Sequence, residues 1–376
     1  MAGIYIHIPF CKKACSYCDF HFSTNQRLKA NMVAVICQEV KLRKNFLELL
    51  PIETVYFGGG TPSVLSVTDF NQIYNALNTH FDLTQVKETT LECNPEDLSA
   101  EYLADLSQFG INRLSLGVQS FNDNHLNMLN RNHDSKAVHQ AIRLIKESPI
   151  TNFTIDLIYG IPGLTTDQWL QNLSYLLKYN IPHFSAYALT VEEKTLLSHQ
   201  INAGKLKEES DGAYFKQFEM LQDFASANGY NAYEISNYAK PKFEAQHNHN
   251  YWHRIPYLGL GPSAHSFKEG IRCWNVSNNH KYIQAIENNE SFLEEEQLST
   301  TDTFNEYIMT HLRIKQGIAK TDILSLFGSD YWNHITSSFE TGDFEDSWFI
   351  DKTDRIALTT EGKFVSDHIA RELIMV

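Results

Sequence analysis

Cys11-Lys12-Lys13-Ala14-Cys15-Ser16-Tyr17-Cys18 is the stretch that decides the fold of this chain. It places three thiols within eight residues at the spacing Cys-x3-Cys-x2-Cys. The chain has six cysteines in 376 residues. At that density the spacing would arise by chance in roughly one of a thousand such chains. A disulfide is disfavoured because three is an odd number and the thiols are too close together to join distant parts of the chain. A closed zinc site is disfavoured because zinc usually takes four protein ligands, and no second cysteine pair follows.

Three closely spaced soft thiolates suit an iron–sulfur cluster. If three ligands hold a cubane of four irons, one iron has no protein ligand and can be chelated by a small molecule. The motif therefore predicts a 4Fe-4S cluster on Cys11, Cys15 and Cys18 with one open iron. The other cysteines, Cys37, Cys93 and Cys273, are isolated in the sequence, and we expect them to be core or inert thiols because free cysteine is commonly buried.

The motif, with its aromatic residue before the last cysteine, resembles the signature of radical S-adenosylmethionine (SAM) proteins. The preceding run Tyr5-Ile6-His7-Ile8-Pro9-Phe10 narrows the resemblance. It is similar to the family of oxygen-independent coproporphyrinogen III oxidase and its relatives, the HemW-like heme chaperones. The resemblance extends from Tyr5 into the C-terminal region, with dense motifs up to about Trp252. It implies that SAM is the molecule that binds the open iron.

Composition limits the function classes. The formal net charge of −14 argues against a nucleic-acid or anionic-membrane partner, since both need a positive surface. The first ten residues alternate apolar and polar side chains and carry no basic segment, so they read as a strand and not as a signal peptide. No apolar run approaches the roughly 20 residues of a membrane span. Free thiols without an export signal predict a cytoplasmic protein.

The order of predicted elements gives the fold class. Strands are predicted at residues 3–8, 52–57, 88–92, 111–117, 152–159 and 183–189. Helices are predicted at 26–45, 67–80, 100–109, 166–178 and 210–227, and helical chain that follows the fourth strand is predicted to end near 146. Strands that alternate with helices of this length predict parallel βαβ units in an α/β fold. Six units make an open or partial (β/α)6 TIM-like barrel, which is also the radical SAM core that the resemblance implies.

The C-terminal part is predicted to form a smaller winged-helix-like α+β module, with helices near 304–315, 321–327 and 330–339, a hairpin near 347–358 and a last helix from Glu361. The acidic segment 287–296 reads as a linker. From Thr301 onward 13 acidic residues outnumber seven Lys and Arg, so we expect a lid or docking module and no DNA contact. The predicted domains are a radical SAM core at 1–240, a connecting segment at 241–290 and the module at 291–376.

Polar motifs follow the predicted strands at their ends, and the carboxyl ends of parallel strands meet at one rim. The run Gly58-Gly59-Gly60-Thr61-Pro62 permits close backbone approach to a ligand, although a tight turn explains it equally well. Carboxylate and amide side chains at the ends of the predicted strands are suited to bind ammonium and ribose groups, and Arg131 is suited to bind a carboxylate. From the sequence alone, capping or surface roles for these side chains remain open. The resemblance implies a SAM pocket lined by Tyr5, Gly59, Gly60, Thr61, Glu92, Gln119, Arg131, Asp156 and Ala188.

The segment His247-Asn248-His249-Asn250-Tyr251-Trp252-His253 is open to three interpretations. It is a polar loop, or a zinc or iron site, with His247 and His249 on one face of an extended segment. The third comes from the resemblance, because His-Asn-x-x-Tyr-Trp is similar to the HemW-like motif associated with heme. Under that interpretation His247 is the axial ligand of the heme iron, and Tyr251 and Trp252 pack on the porphyrin. Gly259 to His265 follows as a glycine-rich turn with another candidate histidine.

Two functions compete at this stage. The first is a heme chaperone that binds a 4Fe-4S cluster, SAM and heme and passes heme to an acceptor protein. The second is an oxygen-independent coproporphyrinogen III oxidase, which would use a 5′-deoxyadenosyl radical to drive oxidative decarboxylation to protoporphyrinogen IX. The oxidase pattern carries a fourth cysteine two residues after the third and a longer N-terminal extension. This chain has Asp19-Phe20 after Cys18, which favours the chaperone. A third class, an interaction protein with a vestigial cluster, stays open.

Overall fold

The computed structural model describes residues 1–375. The chain divides into two compact units. The first unit contains Met1–Gln217 and Ile255–Glu296, and the second contains Phe218–Arg254 and the chain from Gln297 onward. The division into domains at 1–240, 241–290 and 291–376 stays a prediction.

The strands of the described chain are, in order, β1 (Ala2–Ile8), β2 (Ile52–Gly59), β3 (Glu88–Cys93), β4 (Arg113–Gln119), β5 (Asn152–Tyr159), β6 (His183–Ala188), β7 (Asn231–Ala232), β8 (Asn237–Ala239), β9 (Tyr257–Leu260), β10 (His265–Lys268), β11 (Ile271–Asn275), β12 (Leu293–Gln297), β13 (Ile318–Ala319), β14 (Phe349–Asp351) and β15 (Arg355–Leu358).

The helices are α1 (Lys29–Leu42), α2 (Val67–His80), α3 (Ala100–Gln108), α4 (Asp123–Met128), α5 (Ser135–Glu147), α6 (Thr166–Lys178), α7 (Leu196–Asn202), α8 (Asp211–Ala227), α9 (Gln246–Trp252), α10 (Asn279–Glu287), α11 (Thr300–His311), α12 (Lys320–Leu326), α13 (Ser329–Thr341), α14 (Thr360–Phe364) and α15 (Ser366–Leu373).

The first unit is built on a parallel sheet in which β1 to β6 pair in chain order. The strands are buried on both faces, as in β5, where the consecutive residues Leu157, Ile158 and Tyr159 are all buried. Near-continuous apolar strands are typical of parallel sheets covered on both sides. Helices α1, α2, α3, α5 and α6 lie between successive strands. This is the predicted α/β fold with a partial (β/α)6 barrel.

The sheet of the first unit continues beyond β1 through strands that come much later in the chain. β9 pairs with β1 in parallel, with Tyr5 opposite Gly259, and β10 and β11 follow in antiparallel orientation. The strand order is β12-β11-β10-β9-β1-β2-β3-β4-β5-β6. The predicted linker at 287–296 is therefore wrong. Those residues contain the end of α10 and most of β12, an exposed, Glu-rich strand at the edge of the sheet.

The second unit has its own core, formed by residues such as Phe304, Ile308, Trp332, Ile356 and Ile369. Strand β13 lies between α11 and α12, and β14 and β15 follow α13. The three strands form an antiparallel sheet in the order β13-β15-β14. Helices α14 and α15 close the chain. This arrangement is the smaller α+β module of winged-helix type that the element order predicted.

One local expectation about the second unit is wrong. The segment around His247 is not extended, because Gln246–Trp252 form helix α9. Side chains two residues apart on a helix point in different directions, whereas those four apart share a face. His247 and His249 therefore do not share a face. His247 shares one with Tyr251, and His249 shares one with His253.

Candidate functional site

The loop that carries the three thiols follows β1 and is anchored to the segment after β4. The Ser16 N–H donates to the Leu129 carbonyl at 3.0 Å, and the Ser16 hydroxyl donates to the Met128 carbonyl at 3.0 Å. The Asn130 side-chain amide donates to the Ala14 carbonyl at 2.7 Å. Residues more than a hundred positions apart therefore fix the position of the loop.

All three thiols are free and half-buried. Burial raises the pKa of Cys11 and the pKa of Cys18, each to about 11. Thiolates in such surroundings need a cation beside them, and a coordinating metal deprotonates its thiols outright. The donor set therefore fits an iron cluster bound by Cys11, Cys15 and Cys18.

Hydrogen bonds join two of the thiols through three side chains from successive loops. The Thr61 hydroxyl donates to Cys11 Sγ at 3.3 Å, and Arg131 Nη1 donates to Cys15 Sγ at 3.2 Å. Between them, Arg131 Nη2 donates to Asn94 Oδ1 at 2.6 Å, and Asn94 Nδ2 donates to Thr61 Oγ1 at 3.4 Å. Asn94 was not predicted as a site residue. Its place at the end of β3, two residues after Glu92, is the signal that could have identified it.

Arg131 is a fixed positive charge in this network. Its Nη2 also donates to the Gly117 carbonyl at 2.9 Å. Burial alone would lower the pKa of the guanidinium, but the nearby Tyr17 and Cys15 outweigh it and hold that pKa above its usual value. Within residues 1–375 the buried Nε of Arg131 has no hydrogen-bond partner. This donor is free to meet an anionic group of a bound molecule.

The glycine run at the end of β2 leaves no room for side chains. Gly59 has a φ of 106°, and a Cβ there would lie 2.6 Å from the His7 ring. A Cβ on Gly60 would lie 2.8 Å from the Phe10 backbone. On Gly58 a Cβ would lie 2.9 Å from the Tyr5 ring. The run therefore packs its backbone directly against the end of β1, just before the thiol loop.

Two carboxylates lie on β3 and β5, the strands on either side of β4. Glu92 accepts hydrogen bonds from the Tyr56 hydroxyl at 2.7 Å and from the Gly59 N–H at 3.1 Å. Burial raises its pKa to about 7, and the negative charge of Asp156 adds to that rise. Burial likewise raises the pKa of Asp156 to about 6, although the Ser115 hydroxyl donates to it at 3.0 Å. A cation bound beside these carboxylates would lower both pKa values and favour the charged forms.

The remaining residues predicted to bind SAM lie on the same strands or at their ends. The Tyr5 ring stacks on Tyr56, with ring centroids 6.0 Å apart. Gln119 lies at an irregularity of β4 with a φ of 66° and is buried. Ala188 is exposed at the end of β6, opposite Tyr159. Tyr5 thus packs on Tyr56, the donor to Glu92. Within residues 1–375 no hydrogen bond joins the Gln119 side chain to Thr61, Asn94 or Arg131, and Ala188 has no polar side-chain atom.

His247 is buried in α9, and its Nε2 lies 2.9 Å from the Tyr251 hydroxyl. The two rings meet edge to face with centroids 4.9 Å apart. Burial lowers the pKa of His247 to about 3, so the imidazole is neutral at physiological pH. The Trp252 indole N–H is buried and has no hydrogen-bond partner in the described chain, and the Arg313 guanidinium lies 5.2 Å from the ring centroid.

The other two histidines of the segment form a pair. His249 Nε2 lies 3.2 Å from His253 Nε2, and the ring centroids are 4.3 Å apart. The His311 ring, 6.2 Å from that of His253, stacks on Tyr307 at 3.6 Å. Within residues 1–375 no three His, Cys, Asp or Glu side chains, the three thiols included, are gathered closely enough to hold a single metal ion. Cysteines that bind a cubane each hold a different iron, so this finding concerns single-ion sites and not the cluster.

Comparison with known proteins defines the class. The model of the radical SAM superfamily matches residues 5–183. The solved structure of coproporphyrinogen III oxidase (HemN) from Escherichia coli, a radical SAM enzyme, superposes with a TM-score of 0.86 at 20 % identity. That match covers 100 % of this chain and 90 % of the other. The chain therefore has the radical SAM fold, with the thiol motif of that superfamily at the end of its first strand.

Relatives with higher identity define the family. The heme chaperone HemW of Lactococcus lactis is 33 % identical over 97 % of both chains. HemW of Bacillus subtilis is 30 % identical over 98 % of both. HemW of Escherichia coli is 30 % identical over 87 % of this chain and 86 % of its own. The chain belongs to the HemW family of heme chaperones within the radical SAM superfamily.

Proposed function

We propose that this protein is a cytoplasmic heme chaperone that holds a 4Fe-4S cluster, SAM and heme and passes heme to an acceptor protein. The observation that carries the proposal is the similarity to HemW of Lactococcus lactis along 97 % of both chains. A match of that extent includes the thiol loop and the segment around His247. Within residues 1–375 no helix is long and apolar enough to cross a bilayer.

The proposed cluster ligands are Cys11, Cys15 and Cys18. When bound, the cluster would supply one open iron and one-electron chemistry. The chain's own contribution is to fix the loop, through the backbone contacts of Ser16 and the hydrogen bonds of Thr61 and Arg131 to two of the sulfurs. Hydrogen bonds and positive charge at the sulfurs tune the potential of such clusters.

The proposed SAM pocket lies at the same rim. Glu92 is suited to the ammonium group of SAM because it is a partly buried carboxylate held by Tyr56 and the Gly59 N–H. Arg131, with one unused buried donor, is suited to the carboxylate. Asp156 and Gln119 are assigned to the ribose hydroxyls, while the glycine run and Thr61 allow the backbone to approach the ligand. Tyr5 and Ala188 are proposed as further walls of the pocket.

The proposed heme ligand is Nε2 of His247, a neutral imidazole of the kind that binds heme iron. In this structure the Tyr251 hydroxyl lies at hydrogen-bonding distance from that nitrogen. Heme binding therefore requires the hydroxyl to move aside. Trp252 carries a buried indole N–H with no partner in the described chain, a donor suited to a heme propionate, while its ring offers a surface for the porphyrin.

Hemin titration tests the proposal. The full chain should give a Soret shift that saturates at one heme per chain, and His247→Ala should weaken it by at least about tenfold, which is the loss of one coordination bond worth more than about 1.4 kcal/mol. His280→Ala, which removes a histidine exposed on α10, is the matched control and should leave the titration unchanged. An unchanged spectrum in His247→Ala would remove that ligand assignment.

A second assay separates chaperone from oxidase. Coproporphyrinogen III, SAM and a reductant are incubated anaerobically with the cluster-loaded protein, and heme transfer to an apo-hemoprotein is measured in parallel. We expect heme transfer without formation of protoporphyrinogen IX. Decarboxylation at ordinary enzyme rates would contradict the chaperone assignment and establish an enzyme with the fold of its HemN neighbour.

A further inference from the structure

We propose that His249 and His253 form a binding site for a divalent transition-metal ion such as Ni²⁺ or Zn²⁺. The two residues are four positions apart, with His249 inside α9 and His253 at its C-cap, so the end of the helix brings both imidazoles to one face. Pairs of histidines at this spacing on one helix face are an established way to present two nitrogen ligands to a metal. The site involves neither the thiol loop nor His247.

The distance between the two nitrogens fits one metal ion. When metal–nitrogen bonds are about 2.0–2.1 Å long, two nitrogens that bind one tetrahedral ion lie about 3.3–3.4 Å apart. Two nitrogens that bind one ion at a right angle lie about 2.9 Å apart. The observed Nε2–Nε2 distance of 3.2 Å lies between these values. Both Nε2 atoms therefore already have the separation that a shared ion demands, and little side-chain movement is needed.

Without an ion, the same geometry is a hydrogen bond in which one neutral imidazole donates its Nε2 proton to the other. For metal binding that proton moves to Nδ1 of the donor ring, so that two Nε2 lone pairs face the ion and the charge of each imidazole is unchanged. Both side chains are partly exposed, so an ion has access from solvent. Since no third protein ligand is gathered in the described chain, water or another small ligand completes the coordination, and imidazole favours late first-row metals.

The test is calorimetric titration of the untagged full chain with Ni²⁺. The titration is made on a Cys11→Ser/Cys15→Ser/Cys18→Ser background, which removes the thiols as competing ligands, and is repeated on the cluster-loaded chain. We expect one Ni²⁺ per chain with affinity in the micromolar range, weakened at least about tenfold by His249→Gln and by His253→Gln. His280→Gln on α10 is the matched control and should bind like the parent.

Glutamine is polar and favours helices, so it should preserve α9. A circular dichroism melt within about 2 °C of the parent would establish that the variant is folded like the parent. Failure of the parent to bind Ni²⁺ overturns the proposal, as does binding of equal strength in both glutamine variants and the parent. The hemin titration of His253→Gln should match that of the parent, so the metal site and the heme proposal fail independently.

Discussion

Replacement of Arg131 by Met should lower the reduction potential of the proposed cluster. Arg131 is the positive charge hydrogen-bonded to Cys15 Sγ at 3.2 Å. Met fills a similar volume but carries no charge and donates no hydrogen bond. Reduction adds negative charge to the cluster, so the loss of a neighbouring cation makes the reduced state less favourable.

The magnitude follows from the distance. An iron bonded to Cys15 Sγ lies within about 5.5 Å of Arg131 Nη1, the sum of the 3.2 Å hydrogen bond and a metal–sulfur bond of about 2.3 Å. At an effective dielectric constant of about 20, a unit charge at that distance is worth about 3 kcal/mol, and solvent around a half-buried loop reduces this to about 1–3 kcal/mol. For a one-electron couple the corresponding shift is about 40–120 mV toward more negative potential.

The assay is a redox titration of the reconstituted chain followed by electron paramagnetic resonance, with iron content measured on the same samples. Arg143→Met, at an exposed position of α5, is the control for loss of one positive charge and should shift the potential by less than about 20 mV. Asn94→Ala removes an acceptor of Arg131 but keeps its charge, so its shift should be smaller than that of Arg131→Met. If Arg131→Met retains its iron and keeps the parent potential within about 20 mV, the electrostatic reasoning is refuted.

Three further predictions concern the rim and the heme segment. SAM affinity should rise about fivefold between pH 6 and pH 7, because the pKa of Glu92 is raised to about 7 and only its carboxylate attracts an ammonium group, which SAM keeps over this range. Equilibrium dialysis of Glu92→Gln should show no such rise, and a parent-like rise in that variant would exclude Glu92. Tyr251→Phe should tighten hemin binding about fivefold, because a neutral hydrogen bond worth about 1 kcal/mol no longer competes with the heme iron for His247. Weaker binding of this variant in a hemin titration would mean that the hydroxyl assists heme binding. Gly59→Ala should lower the melting temperature by about 5–10 °C, because its φ is 106° and a Cβ would lie 2.6 Å from the His7 ring; a thermal melt within about 2 °C of the parent would contradict the steric argument.

Much of the first unit could be predicted because its local signals agree with one another. Helices α2 and α6 begin and end at the predicted residues, 67–80 and 166–178, since each starts with a capping box that combines a hydroxyl N-cap with Asp69 or Gln168. The strand at 152–159 is equally well defined because its apolar residues are bounded by Pro149 and Gly160. The polar motifs at strand ends then follow from the parallel topology.

The parts that sequence reasoning missed depend on contacts between distant residues. Helix α9 lacks a side-chain N-cap bond and consists mainly of His and Asn, so neither periodicity nor capping favoured a helix. The pairing of β9 with β1 joins residues about 250 positions apart, and four-residue strands give little signal of their own. Asn94 became visible as a site residue only when the structure placed it between Arg131 and Thr61.

The central claim is that Cys11, Cys15 and Cys18 hold a 4Fe-4S cluster whose open iron binds SAM. The most direct measurement is the iron content and the electron paramagnetic resonance spectrum of the anaerobically reconstituted, reduced chain before and after addition of SAM. We expect about four irons per chain, a spectrum that changes with SAM, and loss of both properties in Cys15→Ala. A parent that stays colourless and free of iron, or a Cys15→Ala variant that keeps its full complement, would contradict the claim.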